Sequence, residues 1–214
     1  MKRIAKTLLS LLCKLLVTPL VLLYKLFSIH GPNDSLFCSL GQFLSLFPGK
    51  IGSYIRVAFY TSTLPRVTPN FHIDFGSYFA HPEMEVGENV YIGAYCIVGK
   101  CTIGRQTLIG SFVNILSGNR QHLFSDTAQP PQQQGGTYMT VNIGENCWLG
   151  NNSVIMADIG NQCIIGAGSV VVKPIRSYSV AVGNPCKVIR DHNRSPIAST
   201  MLKKQDDDEL PGTV

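Results

Sequence analysis

The 214-residue chain is short of charge: only 14% of its residues are Asp, Glu, Lys or Arg, where about 25% is usual for a soluble domain. With 45% hydrophobic residues, that shortage points to contact with a membrane or with other subunits. No acidic residue precedes Asp34, whereas Lys2, Arg3, Lys6, Lys14 and Lys25 do, so the positive charge gathers at one end. There is no dispersed lysine and arginine face interleaved with aromatics, which argues against nucleic acid as a partner. The seven cysteines form no CxxC pair, and no small-x-small cleavage site follows the apolar N-terminal run. A disulfide framework, structural zinc and a secretory signal are therefore not expected. Also lacking is an uninterrupted apolar stretch of the roughly 20 residues that cross a bilayer.

What the chain has is a six-residue repeat. Val86, Ile92, Val98, Ile103, Ile109 and Ile115 form one series of aliphatic residues, and Ile143, Leu149, Ile159, Ile165 and Val171 a second. The next position is glycine at 87, 93, 99, 104, 110, 144, 150, 160 and 166, and the fifth is small or β-branched, as at Val90, Cys96, Thr102, Thr107, Val113, Cys147, Ser153, Cys163 and Ser169. A period of six is neither that of a helix nor that of an ordinary strand. It fits a coil with three flat sides, each pointing one aliphatic residue inward, with glycine where the backbone turns a tight corner. One hexad buries too little to stand alone, so the coils must stack into a parallel β-helix. A β-sandwich would instead space its strands by about 8 to 12 residues. Cys96, Cys147 and Cys163 then read as packing residues of the repeat.

The flanks are organised differently. Over residues 1–30, Arg3, Lys6, Ser10, Lys14, Thr18 and Lys25 mark a narrow polar stripe on a helix that is otherwise apolar, with Pro19 as an expected kink. This predicts a helix lying in the membrane interface, its lysines near anionic head groups; a kinked span starting near Leu8 is the alternative. Leu36, Phe37, Leu40, Phe43, Leu44 and Phe47 recur at helical spacing before Pro48-Gly49, with Lys50 and Arg56 flanking. That element is either a second interfacial helix or a lid on the end of the prism, where open strand edges need cover. The division expected is a membrane-interacting helical segment over 1–60, a β-helix domain over 61–190 and a mobile tail over 191–214, acidic from Asp206 to Glu209. Within the β-helix domain, Ile73 and Phe79 read as degenerate first hexads, residues 117–140 as an inserted loop, and Tyr178 to Arg190 as an extended arm.

The loop carries the chemistry. His122 sits where the repeat is interrupted, after Asn119 and Arg120 and before Asp126. A side chain on a loop leaving a rigid scaffold is both exposed and held in place, and imidazole can take a proton near neutral pH. The hexads, the histidine-bearing loop, Ile143-Gly-Glu-Asn-Cys-Trp148-Leu-Gly150, Ile165-Gly-Ala-Gly-Ser-Val170 and Ala181-Val-Gly-Asn-Pro185-Cys-Lys-Val-Ile-Arg190 together resemble the left-handed β-helix hexapeptide-repeat acyltransferases. That superfamily includes the maltose, galactoside and serine acetyltransferases and many polysaccharide O-acetyltransferases.

The resemblance implies a homotrimer with acetyl-CoA in the grooves between neighbouring prisms and direct transfer to an acceptor, without a metal. His122 matches the general base, although it falls slightly later than in the sugar acetyltransferases, and Asp126 is a candidate orienter of its imidazole. Trp148 matches the tryptophan near the active site, and Gly166, Ala167 and Gly168 the small residues along the pantetheine arm. Asn184, Pro185, Lys187 and Arg190 match the arm near the nucleotide, where a cation could meet CoA phosphates. The function expected is a membrane-associated O-acetyltransferase at the inner face of the cytoplasmic membrane, acting on a sugar hydroxyl of a bacterial surface glycan or its lipid-linked precursor. Alternatives are an N-acetyltransferase on an amino-sugar nucleotide, a non-catalytic trimeric scaffold, and a γ-type carbonic anhydrase, for which His72, His81 and His122 lack the expected ligand spacing. A cysteine nucleophile is the rival mechanism, and none lies near His122 in sequence.

Overall fold

The computed structural model describes residues 2–191, and the tail read over 191–214 lies outside the described residues from position 192 onward. Three helices come first: α1 (Lys2–Phe27), α2 (Asp34–Ser45) and α3 (Gly49–Thr63). The Asn33 side chain starts α2 by accepting from the Leu36 N–H at 3.0 Å. α1 continues through Pro19 as one helix. Cys13, Val17, Val21 and Tyr24 form its buried stripe, while Leu8, Leu11, Leu12, Leu15, Leu16, Leu22 and Leu26 remain exposed together with Lys6, Lys14 and Lys25. The buried stripe packs mainly on α3, so α1 lies along the protein rather than apart from it.

The prism follows as stacked triangular coils. Coil 1 has Val67, β1 (His72–Ile73) and β2 (Tyr78–Phe79); coil 2 has β3 (Met84–Val86), β4 (Tyr91–Ile92) and β5 (Ile97–Val98). Coil 3 has β6 (Cys101–Ile103), β7 (Leu108–Ile109) and β8 (Asn114–Ile115); after the inserted loop, coil 4 has β9 (Val141–Ile143), β10 (Trp148–Leu149) and β11 (Val154–Ile155). Coil 5 has Ile159, β12 (Ile164–Ile165) and β13 (Val170–Val171), and Ile175 with β14 (Ser179–Val182) begins a sixth. Like sides pair in parallel, giving a first face β1-β4-β7-β10-β12-β14, a second β2-β5-β8-β11-β13 and a third β3-β6-β9. This is the left-handed parallel β-helix that the repeat and the resemblance imply. β15 (Lys187–Asp191) folds back antiparallel on β14, so the expected extended arm is a hairpin sealing the last coil.

The repeat aliphatics, from Val86 through Val171, all point inward and are at most 3% exposed, as are Ile73 and Phe79 of the first coil. The glycine that follows each one serves a different purpose from the corner expected. None of these glycines has a positive φ; the left-handed corner residues are instead Asn89, Tyr95, Gln106, Phe112, Asn146, Asn152, Gln162 and Tyr178. The glycines are places where the next coil presses close: a Cβ on Gly150 would lie 2.4 Å from the Ala167 nitrogen, and one on Gly144 2.6 Å from the Asn161 nitrogen. Fifth-position side chains form an internal ladder. Ser77 Oγ, Cys96 Sγ, Thr107 Oγ1 and Cys147 Sγ donate to the carbonyls of Gly93, Gly110, Gly144 and Gly160 on the following coil. Thr102 is an exception: the shortened corner turns it outward to Asn142 Oδ1 at 2.6 Å, and Cys101 fills the interior instead.

The helices close the open first coil. Ile73 and Phe79 have no preceding coil to bond, and α3 supplies substitutes: Ser53 Oγ accepts from the Ile73 N–H, Tyr60 Oη accepts from the Phe79 N–H, and Arg56 donates to the Ile73 carbonyl through Nε and Nη2. Arg56 also donates through Nη1 to the carbonyls of Leu44, Ser45 and Phe47, capping the C-terminal end of α2. Arg56, which the sequence places only as a flanking cation, is therefore a fully buried clamp. Of the two roles left open for this region, the lid is the one observed.

Candidate active site

The loop between β8 and β9 leaves the corner joining the second face to the third. Its two limbs are tied by backbone bonds: Met139 N–H to Ser117 O, Thr137 N–H to Arg120 O and Leu123 N–H to Gly135 O, each at 2.8–2.9 Å. Gly136 lets them approach, since a Cβ there would lie 1.8 Å from the Gln121 carbonyl oxygen. His122 projects from the outgoing limb, exposed, and lines a cleft of about 360 Å³ with Asn119, Arg120, Leu123, Phe124 and Ser125. The Asp126 carboxylate turns into its own bend, accepting from the Ala128 N–H at 2.9 Å, while Gln134 straps that bend from Oε1 and Nε2. Asp126 thus makes a loop-shaping contact here and none to His122.

The other expected residues lie elsewhere on the prism. Trp148 stands outward on the first face, 53% exposed, between Leu108 and Ile164 of adjacent coils. Gly166, Ala167 and Gly168 form the corner between the first and second faces. A Cβ on Gly168 would meet nothing within 4 Å, so that position, at φ +69°, faces open space, whereas a Cβ on Gly166 would lie 2.7 Å from Val182 Cγ1. Asn184, Lys187 and Arg190 are exposed on the β14–β15 hairpin. Within one chain, therefore, His122 and the Gly166–Gly168 strip occupy different corners of the triangle.

The four cysteines of the repeat offer no reachable nucleophile. Burial pushes the Cys96 and Cys101 thiols up, and both are fully enclosed. Cys147 is raised chiefly by its hydrogen bond with Cys163 and then by burial, while the same bond lowers Cys163; at 3% and 0% exposure neither can be reached.

A second imidazole, weighed in the sequence only as a metal ligand, has a partner that the sequence does not reveal. His81, after β2, has its Nδ1 2.8 Å from Asp34 Oδ2 at the start of α2, and its ring lies 5.3 Å from that of Tyr138 on the returning limb of the loop. Asp34, His81 and Glu83 each place a ligand-type atom within 4.8 Å of the others, with Glu83 also held by Lys100 Nζ at 2.9 Å. The partners are 47 positions apart, so no local spacing signals them. His72 lies on the first face with Ser53 and Tyr91, so the three histidines weighed as carbonic anhydrase ligands have separate surroundings.

Known proteins match the repeats and the prism they build. The family model for the bacterial transferase hexapeptide (six repeats) covers residues 83–117 and 140–173 and omits the loop between them. A maltose O-acetyltransferase from Clostridium difficile 630 shares 27% identity and superposes with a TM-score of 0.64, over 74% of this chain and 86% of that one. A galactoside acetyltransferase in complex with coenzyme A shares 24% identity with a TM-score of 0.64, over 75% and 81%. A hexapeptide-repeat acetyltransferase from Vibrio cholerae shares 20% with a TM-score of 0.57, over 75% and 93%. Among curated proteins, the bifunctional protein GlmU of Limosilactobacillus fermentum is 29% identical over 114 residues, 49% of this chain; the match spans about a quarter (24%) of that relative's length.

Proposed function

Because the chain carries the hexapeptide repeats and the fold of the left-handed β-helix acyltransferase superfamily, we propose that it transfers acetyl from acetyl-CoA to a sugar hydroxyl of a bacterial surface glycan or its lipid-linked precursor. The observation that carries this reading is His122 exposed on the loop that interrupts an otherwise continuous prism. Support comes from the likeness to the maltose O-acetyltransferase at 27% identity. The His122 imidazole takes the acceptor proton as the hydroxyl oxygen attacks the thioester carbon. The tetrahedral oxyanion then collapses, breaking the C–S bond; the CoA sulfur leaves with the proton and the acetyl ester remains on the sugar. General base help of this kind contributes about 10² to 10⁴ in rate.

Acetyl-CoA lies along the small residues Gly166, Ala167 and Gly168 past Trp148, with Lys187 and Arg190 near its phosphates. Since His122 and that strip sit at different corners of one prism, a complete site requires a second copy, and the assembly proposed is a homotrimer. α1 lies in the plane of the inner leaflet of the cytoplasmic membrane, exposed leucines inserted and Lys6, Lys14 and Lys25 at anionic head groups. Its segment Lys6–Phe27 has the length and a mean hydropathy of 2.0 that would also suit a span, but the stripe buried along α3 favours lying flat.

The test is incubation with radiolabelled acetyl-CoA and bacterial membrane extract, followed by phase partition. Label in the lipid phase that mild alkali releases is the expected ester. Alkali-stable label would replace the hydroxyl with an amine, and no label from a protein that binds CoA would leave a scaffold.

A further inference from the structure

We propose that the cleft beside His81 recognises the acceptor sugar, with His81, oriented by Asp34, hydrogen-bonding one of its hydroxyls; this rests on the transferase reading above. The Asn33 cap fixes where α2 begins and so places Asp34, whose Oδ2 is 2.8 Å from His81 Nδ1. A carboxylate can only accept, so Nδ1 donates to Asp34 and Nε2 is the ring nitrogen left to face a ligand. The imidazole is held on both sides: its side chain is 18% exposed, with Asp34 against Nδ1 and the Tyr138 ring tilted 60° to it. His122, by contrast, is exposed on its loop.

His81 opens onto a cleft of about 180 Å³ whose polar walls include the Asn114 and Gln121 amides, room for one sugar ring rather than a chain. Each sugar hydroxyl both donates and accepts. Nε2 and the amide oxygens face such a hydroxyl, the amide N–H groups not spent on the Phe112 and Gly118 carbonyls supply donors, and the half-exposed Tyr138 ring lies against the imidazole itself. Lys100 engages Glu83 and competes for the third ligand of the Asp34, His81 and Glu83 cluster, which favours a neutral polar ligand over a metal ion. Gln121 directly precedes His122, so a ring held here sits at the root of the loop whose outer limb carries the base. The two imidazoles divide the work: His81 holds the acceptor, and His122 takes its proton.

Steady-state transfer from acetyl-CoA to maltose and to N-acetylglucosamine, used as probes, tests the division. His81→Ala should raise the sugar KM by about tenfold or more, the loss of one well-placed hydrogen bond, with the acetyl-CoA KM unchanged and kcat little altered. Asp34→Asn, acting through His81, should raise the sugar KM less. Gln121→Ala should move it in the same direction and keeps the test alive if His81→Ala fails to fold. An unchanged sugar KM in His81→Ala and Gln121→Ala, or a loss confined to kcat, would overturn the proposal. So would a wild-type protein that binds CoA and labels neither sugar. A wild-type protein that fails to bind CoA would overturn the transferase reading instead.

Discussion

Replacing Arg56 with methionine should cost more than a typical core substitution. The guanidinium is fully buried and makes five contacts with four carbonyls, those of Leu44, Ser45, Phe47 and Ile73. Methionine keeps the stem volume but donates nothing. Leu44 and Ser45 retain other donors, the N–H groups of Phe47 at 3.4 Å and Gly76 at 2.9 Å, so the loss falls mainly on Phe47 and Ile73. At about 1–3 kcal/mol for each buried group stripped of its partner, two such groups cost about 2–6 kcal/mol. For a chain of this size each kcal/mol lowers Tm by about 2–4 °C, so the central value of about 4 kcal/mol corresponds to about 8–16 °C. Arg56→Lys should recover only part of this, since an ammonium cannot present the fork that reaches both α2 and the first coil. Thermal melts followed by circular dichroism measure all three proteins. A methionine variant melting within about 3 °C of wild type would refute the idea that Arg56 closes the prism.

Other consequences concern the prism, the ligand strip and the membrane face. Gly150→Ala should destabilise by about 1–3 kcal/mol, because its Cβ would press on the Ala167 backbone at 2.4 Å, whereas Gly168→Ala, facing open space at positive φ, should cost about 1 kcal/mol yet raise the KM for acetyl-CoA. Burial lowers the His72 pKa from its ordinary 6.5, with Asp74 opposing. The neutral ring is therefore favoured in the fold, and its contribution is complete above pH 6.5 and lost as pH falls through the folded value. Melts of His72→Gln against wild type across that range should show the weaker acid dependence in the variant. Replacing Leu12, Leu15 and Leu16 with glutamate should leave Tm unchanged and weaken flotation with anionic vesicles by more than tenfold, since each inserted leucine contributes about 1.5 kcal/mol or more.

The prism was legible because a hexad repeat writes its inward side chain at a fixed spacing. The role of its glycines was not, since close stacking and corner turning both call for glycine; only the φ values and the neighbouring backbone separate the two. Arg56 read only as a flanking cation, because nothing local tells that it faces the bare edge of a strand. His122 stood out by interrupting the pattern. His81 did not, because its partner Asp34 belongs to a helix that only the folded chain brings to the prism. Asp126 illustrates the converse: nearness in sequence suggested a partner for His122, and the loop spends that carboxylate on its own bend.

The most direct test of the account compares wild type with His122→Ala in acetyl-CoA binding and in transfer to membrane extract. The account predicts equal CoA affinity and a rate lower by about 10² to 10⁴ in the variant. A His122→Ala protein that transfers acetyl at the wild-type rate would contradict it.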